Sequence, residues 1–188
     1  MHAPGLWTWS VGDATCLYHE APDGIVVADP LVPDDEAERF WRALDRDVER
    51  IGRPPTVVVS AVATRRSADT VRSRYSGAMI HAPWGPTGGE RTETLEDGGL
   101  LPGGLTAIVY GEAAMLLCAC HGLIWTGDLL HGVAPDDLRP GPSLDALSTA
   151  ERSALATRLT AADPTIVVPA VGPPVGEDPA RAISRALA

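Results

Sequence analysis

Thr56-Val57-Val58-Val59-Ser60-Ala61-Val62-Ala63-Thr64-Arg65-Arg66-Ser67-Ala68-Asp69 is the stretch that decides the fold of this chain. Thr56 to Ser60 is a β-branched run without polar alternation, the composition of a strand covered on both faces. Pro54-Pro55 precedes it, and Ser67 to Tyr75 has the character of a short helix. The segment therefore leads from a buried strand through a polar turn into a helix.

The same order of elements extends outward in both directions. Upstream, Leu6 to Ser10, Thr15 to His19 and Gly24 to Ala28 are short strand signals, and Asp23-Gly24 between the last two predicts a hairpin. After Pro33 comes an amphipathic helix capped by Asp34 or Asp35, with Ala37, Phe40, Trp41, Leu44, Val48 and Ile51 on one face. Downstream, Ala78 to Ala82 is a small strand. Pro83 to Gly104, rich in Gly, Pro and Thr, predicts loop with one edge strand and a candidate lid. Leu105 to Tyr110, Ala113 to Cys118 and Leu123 to Thr126 follow the rhythm of an antiparallel meander, and Pro135 to Pro142 reads as loop. Ser148-Thr149-Ala150-Glu151 is a capping box that opens a helix with Leu155 and Leu159 inward. Thr165 to Pro169 is a buried strand, and Asp178-Pro179 starts a last helix at the position where proline's missing N–H costs nothing. Strands leading into helices in each half, with helices enough to cover both faces, predict an α/β, four-layer αββα sandwich. A length of 188 residues, 45% of them hydrophobic, fits one domain over 1–188.

Composition narrows the chemistry. A formal net charge of -10 argues against nucleic acid and anionic membrane, because phosphate binding draws on Lys and Arg. There is no Lys, Asn or Gln, so lysine Schiff-base chemistry and a Cys-His-Asn triad are excluded. Cys16, Cys118 and Cys120 are too few for a disulfide framework, and Met1 to Ser10 lacks the pattern of a signal peptide. No run reaches bilayer-spanning length. A reduced, cytoplasmic setting is the expectation.

Five local motifs in order carry a resemblance over most of the chain: Gly24-Ile25-Val26-Val27-Ala28-Asp29-Pro30, Val57-Val58-Val59-Ser60, Ile80-His81-Ala82-Pro83, Leu123-Ile124-Trp125-Thr126-Gly127-Asp128 and Ile166-Val167-Val168-Pro169-Ala170-Val171-Gly172. In order and spacing they are similar to the metallo-β-lactamase fold. That resemblance implies an HxHxDH metal motif after Ser60, where a strand-to-helix turn directs ligands into one cleft. The preferred register places Val62, Thr64, Arg66 and Ser67 at the four ligand positions, and no register supplies a histidine. Val171 stands where a further histidine is implied, and Pro102 to Leu105 offers none in the middle. Asp128 alone resembles a ligand of the family, its bridging aspartate. One aspartate cannot satisfy zinc, which takes three or four N, S or O donors. The expectation is an absent metal and cofactor, with Arg65 or Arg66 paired to Asp128 in the ion's stead.

Cys118-Ala119-Cys120-His121 invites a metal reading, but core packing is favoured, because buried cysteine is common and no second ligand pair stands elsewhere. Of the histidines, His2 is terminal, His19 ends a strand, and His121 falls in a turn. His81 and His131 follow motifs that border the cleft in the resembling family, and Trp84, in the Gly- and Pro-rich loop, reads as lining the cleft or a subunit contact. Asp128 with His131 is the best acid/base pair on offer. Thr64, Ser60 and Ser67 stand in no nucleophile elbow, and Ser67 reads as a helix cap. Trp7 and Trp9 share a strand face, and core packing is their favoured reading. Three functions follow in order: a binding or interaction module without a competent zinc site, a metal-independent hydrolase or other enzyme using the same cleft, and a metallohydrolase with an atypical site of Asp128, His131 and His81. The partner class is a small molecule or a protein, a second copy of the chain included.

Overall fold

In the computed structural model, residues 4–84 and 92–188 are described. The first sheet holds β1 (Leu6–Val11), β2 (Ala14–Ala21), β3 (Gly24–Ala28), β4 (Thr56–Val58), β5 (Met79–Ala82) and β6 (Thr92–Thr94), side by side in that order. Its first three strands are antiparallel, and the pairs from β3 to β6 are parallel. α1 (Ala37–Ile51) connects β3 to β4, and α2 (Ala68–Arg74) connects β4 to β5, as parallel pairing requires. The second sheet is built from β7 (Leu100–Leu101), β8 (Leu105–Tyr110), β9 (Ala113–Cys118) and β10 (Leu123–Gly127), joined later by β13 (Ile166–Pro169). Its order is β13-β10-β9-β8-β7, with β13 parallel to β10 and the rest antiparallel. β11 (Leu130–Ala134) and β12 (Asp137–Pro140) form a separate small ribbon, and α3 (Thr149–Ala161) and α4 (Pro179–Leu187) complete the elements.

The unbroken apolar runs are explained by three interfaces between four layers. Along β3 and β4, Val26 and Val58 enter the cluster between the sheets, while Val27 and Val57 enter the cluster under α1 and α2. Along β10 and β13, Trp125 and Val168 face the first sheet, while Ile124 and Val167 pack with Leu155, Leu159 and Ile183 of α3 and α4. Alternate side chains leave a strand on opposite faces, so a strand buried on both must be apolar at consecutive positions. The αββα sandwich follows directly. The helices of the first sheet are also clamped by charge: Arg74 of α2 makes a two-pronged contact with Asp45 of α1, and Arg50 bridges α1 to Glu20 of β2.

Local expectations differ in several places. α1 begins after Glu36, which makes no side-chain cap bond, rather than after Asp34 or Asp35. The hairpin between β2 and β3 turns on Pro22-Asp23, because Gly24 already pairs with Ala21. The loop expected over 83–104 contributes edge strands to both sheets, β6 and β7, and the candidate lid falls partly on residues 85–91, outside the described residues. Pro135 to Pro142 is not all loop. Pro140 ends β12, where a proline sacrifices no interior ladder bond, and the irregular register between Gly132 and Ala134 hides the ribbon from a period-two pattern. The capping box of α3 forms as expected, Ser148 and Glu151 bonding reciprocally.

Leu116 is fully buried at the centre of the inter-sheet cluster. Leu116→Ala is expected to lower the unfolding free energy by about 2–5 kcal/mol through lost transfer energy and the cavity left behind, measured by urea denaturation against the parent chain.

Candidate functional site

β3 is followed by a residue that any hydrophobic pattern would leave outside the core. Asp29 is fully buried and takes a left-handed backbone, φ 49°. Its N–H donates to Val58 O at 2.8 Å, and its carboxylate receives the Ser60 N–H at 2.7 Å and the Ser60 hydroxyl at 2.5 Å. The Thr64 hydroxyl lies 2.6 Å from Oδ1, and the Trp125 indole N–H reaches Oδ2 from the other sheet at 3.3 Å. Burial pushes this carboxyl above its ordinary range, while Ser60, Thr64 and the positive charge of Arg66 oppose the shift. The turn after β4 is thus folded around Asp29. Val62–Thr64 makes a single 3-10 turn, Ser67 N–H donates to Pro30 O, and Ser67 Oγ accepts the Val32 N–H at 3.0 Å. Ser67 precedes α2 without capping it.

Across the sandwich, β10 ends at Gly127 with φ 53°, where an added Cβ would collide with the Ser60 side chain and Ala114 O. Only glycine lets the two strand ends approach this closely. Asp128 follows and is buried, its Oδ1 3.1 Å from His131 Nε2 and its Oδ2 accepting the Ser143 hydroxyl at 2.9 Å. Because a carboxylate only accepts, His131 presents Nε2 as N–H. A pocket of about 300 Å³ opens here, lined by Ala61, Val62, Tyr110, Asp128, Pro142 and Ser143 among others.

Some of the expected site residues come together here. Val62, 63% exposed, and Asp128 share the pocket, and Asp128 meets His131 as the acid/base reading supposed. The arginines go elsewhere. Arg65 pairs with Asp69, at 2.9 and 3.1 Å, and Arg66, with φ 34°, stands near Asp29 and Cys16, where its positive charge opposes the upward shift that burial gives both. The pairing of either with Asp128 is corrected: a histidine and a serine fill that role. Thr64 is buried on Asp29 and is not among the residues lining the pocket. Val171 pairs with Ala14, and its carbonyl accepts the Gly132 N–H at 2.9 Å. His81 faces Glu93 at 3.7 Å on the β5–β6 edge, with its pKa lowered by burial, and Trp84 packs into the cluster under α1 and α2. Neither lines the pocket at Asp128. Trp7 and Trp9 are half-buried and line an apolar groove of about 340 Å³ with Tyr18 and Phe40, and the Trp9 indole donates to Leu31 O. His19 lies within β2 and is buried, and Cys120 leaves the strand to sit exposed in the turn after Cys118.

Sequence reasoning missed Asp29 and Ser143. Ser143 stands 15 residues from Asp128 in a breaker-rich segment with no periodic signal. Asp29 carried one usable sign, an acid at the end of a fully apolar strand, which must be exposed or paired.

A four-layer sandwich with this strand order and a cleft at the ends of β4 and β10 is the metallo-β-lactamase fold. Solved structures agree. A metallo-β-lactamase from Erythrobacter litoralis superposes with a TM-score of 0.63 at 19% identity, over 98% of this chain and 88% of its own. The metallo-β-lactamase FIM-1 from Pseudomonas aeruginosa, in its mono-zinc form, gives 0.64 at 13%, over 98% and 92%. A flavo di-iron protein variant from Thermotoga maritima gives 0.64 at 14%, over 95% of this chain and 54% of that one. No protein-family model matches the sequence, and no curated protein matches it. Among the described residues, no helix is long and apolar enough to cross a membrane.

Asp29→Ala leaves the Ser60 N–H, two hydroxyls and the Trp125 indole without their acceptor. A loss of about 3 kcal/mol or more in unfolding free energy is expected, together with a change in tryptophan emission as Trp125 loses its partner. Unchanged stability in chemical denaturation would refute the hub.

Proposed function

We propose that this chain is a binding module on the metallo-β-lactamase fold that works without a zinc centre in its cleft. The observation that carries this reading is the commitment of the turn after β4 to other contacts. Val62 offers hydrocarbon, the Thr64 hydroxyl is given to Asp29, Ser67 Oγ receives a backbone N–H, and Arg66 lies by Asp29 and Cys16. Asp128 lines the pocket with Glu112, and His131 is already bonded to Asp128; among the described residues these three do not bring their ligand atoms together around one point, so they do not fit the three or four donors that zinc takes.

A second reading, a metal-independent enzyme, draws on the contact between His131 and Asp128. Its geometry favours binding instead. In a nucleophilic relay the hydroxyl bonds to the base and the base to an orienting acid. Here the acid stands in the middle, and Ser143 donates to Asp128 rather than to the imidazole. Ser143 thereby has only a weakly basic carboxylate, and no imidazole, to take its proton. The third reading needs His81, which lies on the β5–β6 edge beside Glu93.

The pocket itself suits a small molecule. Ala61, Val62, Tyr110 and Pro142 supply an apolar wall, while Asp128 and Glu112 supply acceptors and negative charge, which matches an apolar body with an amine head. Phenethylamine is expected to raise the melting temperature and to lose that effect in Asp128→Ala, while phenylacetate has none.

Two measurements test the metal-free reading. After incubation with zinc and gel filtration, elemental analysis is expected to show no ion whose retention depends on Asp128, and a chromogenic cephalosporin is expected to remain uncleaved. Stoichiometric zinc lost in Asp128→Ala, or hydrolysis abolished by that substitution, would sink the proposal.

A further inference from the structure

We propose that Cys118, Cys120 and His121 form a binding site for a thiophilic divalent cation of the zinc type, closed on the core side by His19. Among the described residues, Cys118, Cys120 and His121 bring one ligand atom each to within 4.8 Å of one another. The two sulfurs are 3.5 Å apart. Thiolates each about 2.3 Å from one tetrahedral ion stand about 3.8 Å apart, so the pair needs only a small adjustment to share one.

The local backbone produces this convergence. β9 ends at Cys118, Ala119–His121 makes a 3-10 turn, and Gly122 closes it with φ 57° before β10 starts at Leu123. An added Cβ at Gly122 would press on Thr165 Oγ1 at 2.7 Å, so the tight turn is built for glycine. Two cysteines of an uninterrupted strand would share a face with side chains running parallel. The turn instead brings Cys120 back toward Cys118. Core packing accounts for Cys118, which is fully buried, but not for Cys120, which is exposed and gives an ion a route from solvent.

His19 supplies the independent observation. It is 4% exposed, and its Nε2 lies 3.2 Å from the carbonyl oxygen of Gly103. A carbonyl accepts only, so Nε2 carries the proton and Nδ1 is left as a bare lone pair. That Nδ1 is buried without a hydrogen-bond partner. An imidazole that gives one N–H to a backbone carbonyl and keeps the other nitrogen as a lone pair is in the form that ligates metals. Its ring stands edge-on to that of His121, with centroids 6.3 Å apart. The converging group does not itself include His19, which stands beside it; a small shift of that ring on binding would bring in a fourth nitrogen, for a Cys2His2 donor set drawn from both sheets. On binding, the ion replaces the two thiol protons, which pass to solvent, and each imidazole donates its lone pair without losing a proton.

This site is separate from the cleft. β10 runs from Leu123, beside the turn, to Gly127, beside Asp128, which at strand rise sets the two roughly 15 Å apart.

Cobalt(II) titrated into the metal-stripped, reduced full chain tests the proposal. Saturation at one equivalent is expected, with a thiolate-to-cobalt charge-transfer band in the near ultraviolet and tetrahedral bands in the visible, all displaced by zinc. Cys120→Ser alters an exposed group and His121→Ala a half-buried one in a turn, and both are expected to keep the circular dichroism of the parent while weakening binding at least tenfold. Asp128→Ala is expected to leave the titration unchanged. No saturable thiolate band at one equivalent, or a titration unaltered in Cys120→Ser, overturns the site. His19→Gln is expected to weaken binding about tenfold, and an unchanged affinity in that folded variant would overturn the inner closure.

Discussion

The buried carboxylate of Asp29 holds the cleft end of this molecule together, because it is the acceptor on which two separate segments converge. Ser60 and Thr64 come from the turn after β4, and Trp125 reaches across from the second sheet. A carboxylate out of water is costly unless its lone pairs are filled. Here the donors that fill them are the groups that would otherwise be orphaned at a strand end and in a one-turn helix, so charge and orphaned donors compensate each other. The left-handed backbone at Asp29, and the same conformation at Arg66, are tolerated because this network fixes both ends of the turn.

With that turn fixed, the rest of the cleft follows. Ser60 O accepts the Ala114 N–H at the start of β9, and Gly127 passes close to the Ser60 side chain at the end of β10. Asp128 is thereby presented beside Val62, and the segment from Pro142 closes over it through Ser143. The opposite ends of the same two strands meet in the Cys118–Gly122 turn. One antiparallel pair therefore carries a polar cluster at each end, and the apolar core between them keeps the two apart.

The layers were legible because covering a strand on both faces leaves a mark in the sequence: Val26-Val27, Val57-Val58 and Val167-Val168 each divide between two cores. The site was less so. Asp29 meets its partners 31, 35 and 96 residues away, and no local pattern records such distances. The pairing of Arg65 or Arg66 with Asp128 rests on both segments resembling cleft positions, and the left-handed φ at Arg66 is not something its side chain announces. Asp128 and His131, three residues apart across the start of β11, were within local reach and could be paired from sequence.

The network at Asp29 also limits which side chains the turn after β4 can accept. An idle turn would accept new side chains at these positions freely. Instead, Thr64 fills a lone pair of Asp29, and Ser67 satisfies the Val32 N–H. A histidine at 64 would withdraw a hydroxyl from a fully buried carboxylate and place a larger ring where a 3-10 turn is packed. Two of the positions that resemble ligand sites are therefore used to hold the loop, and the stability of the turn has come to depend on residues that cannot bind zinc.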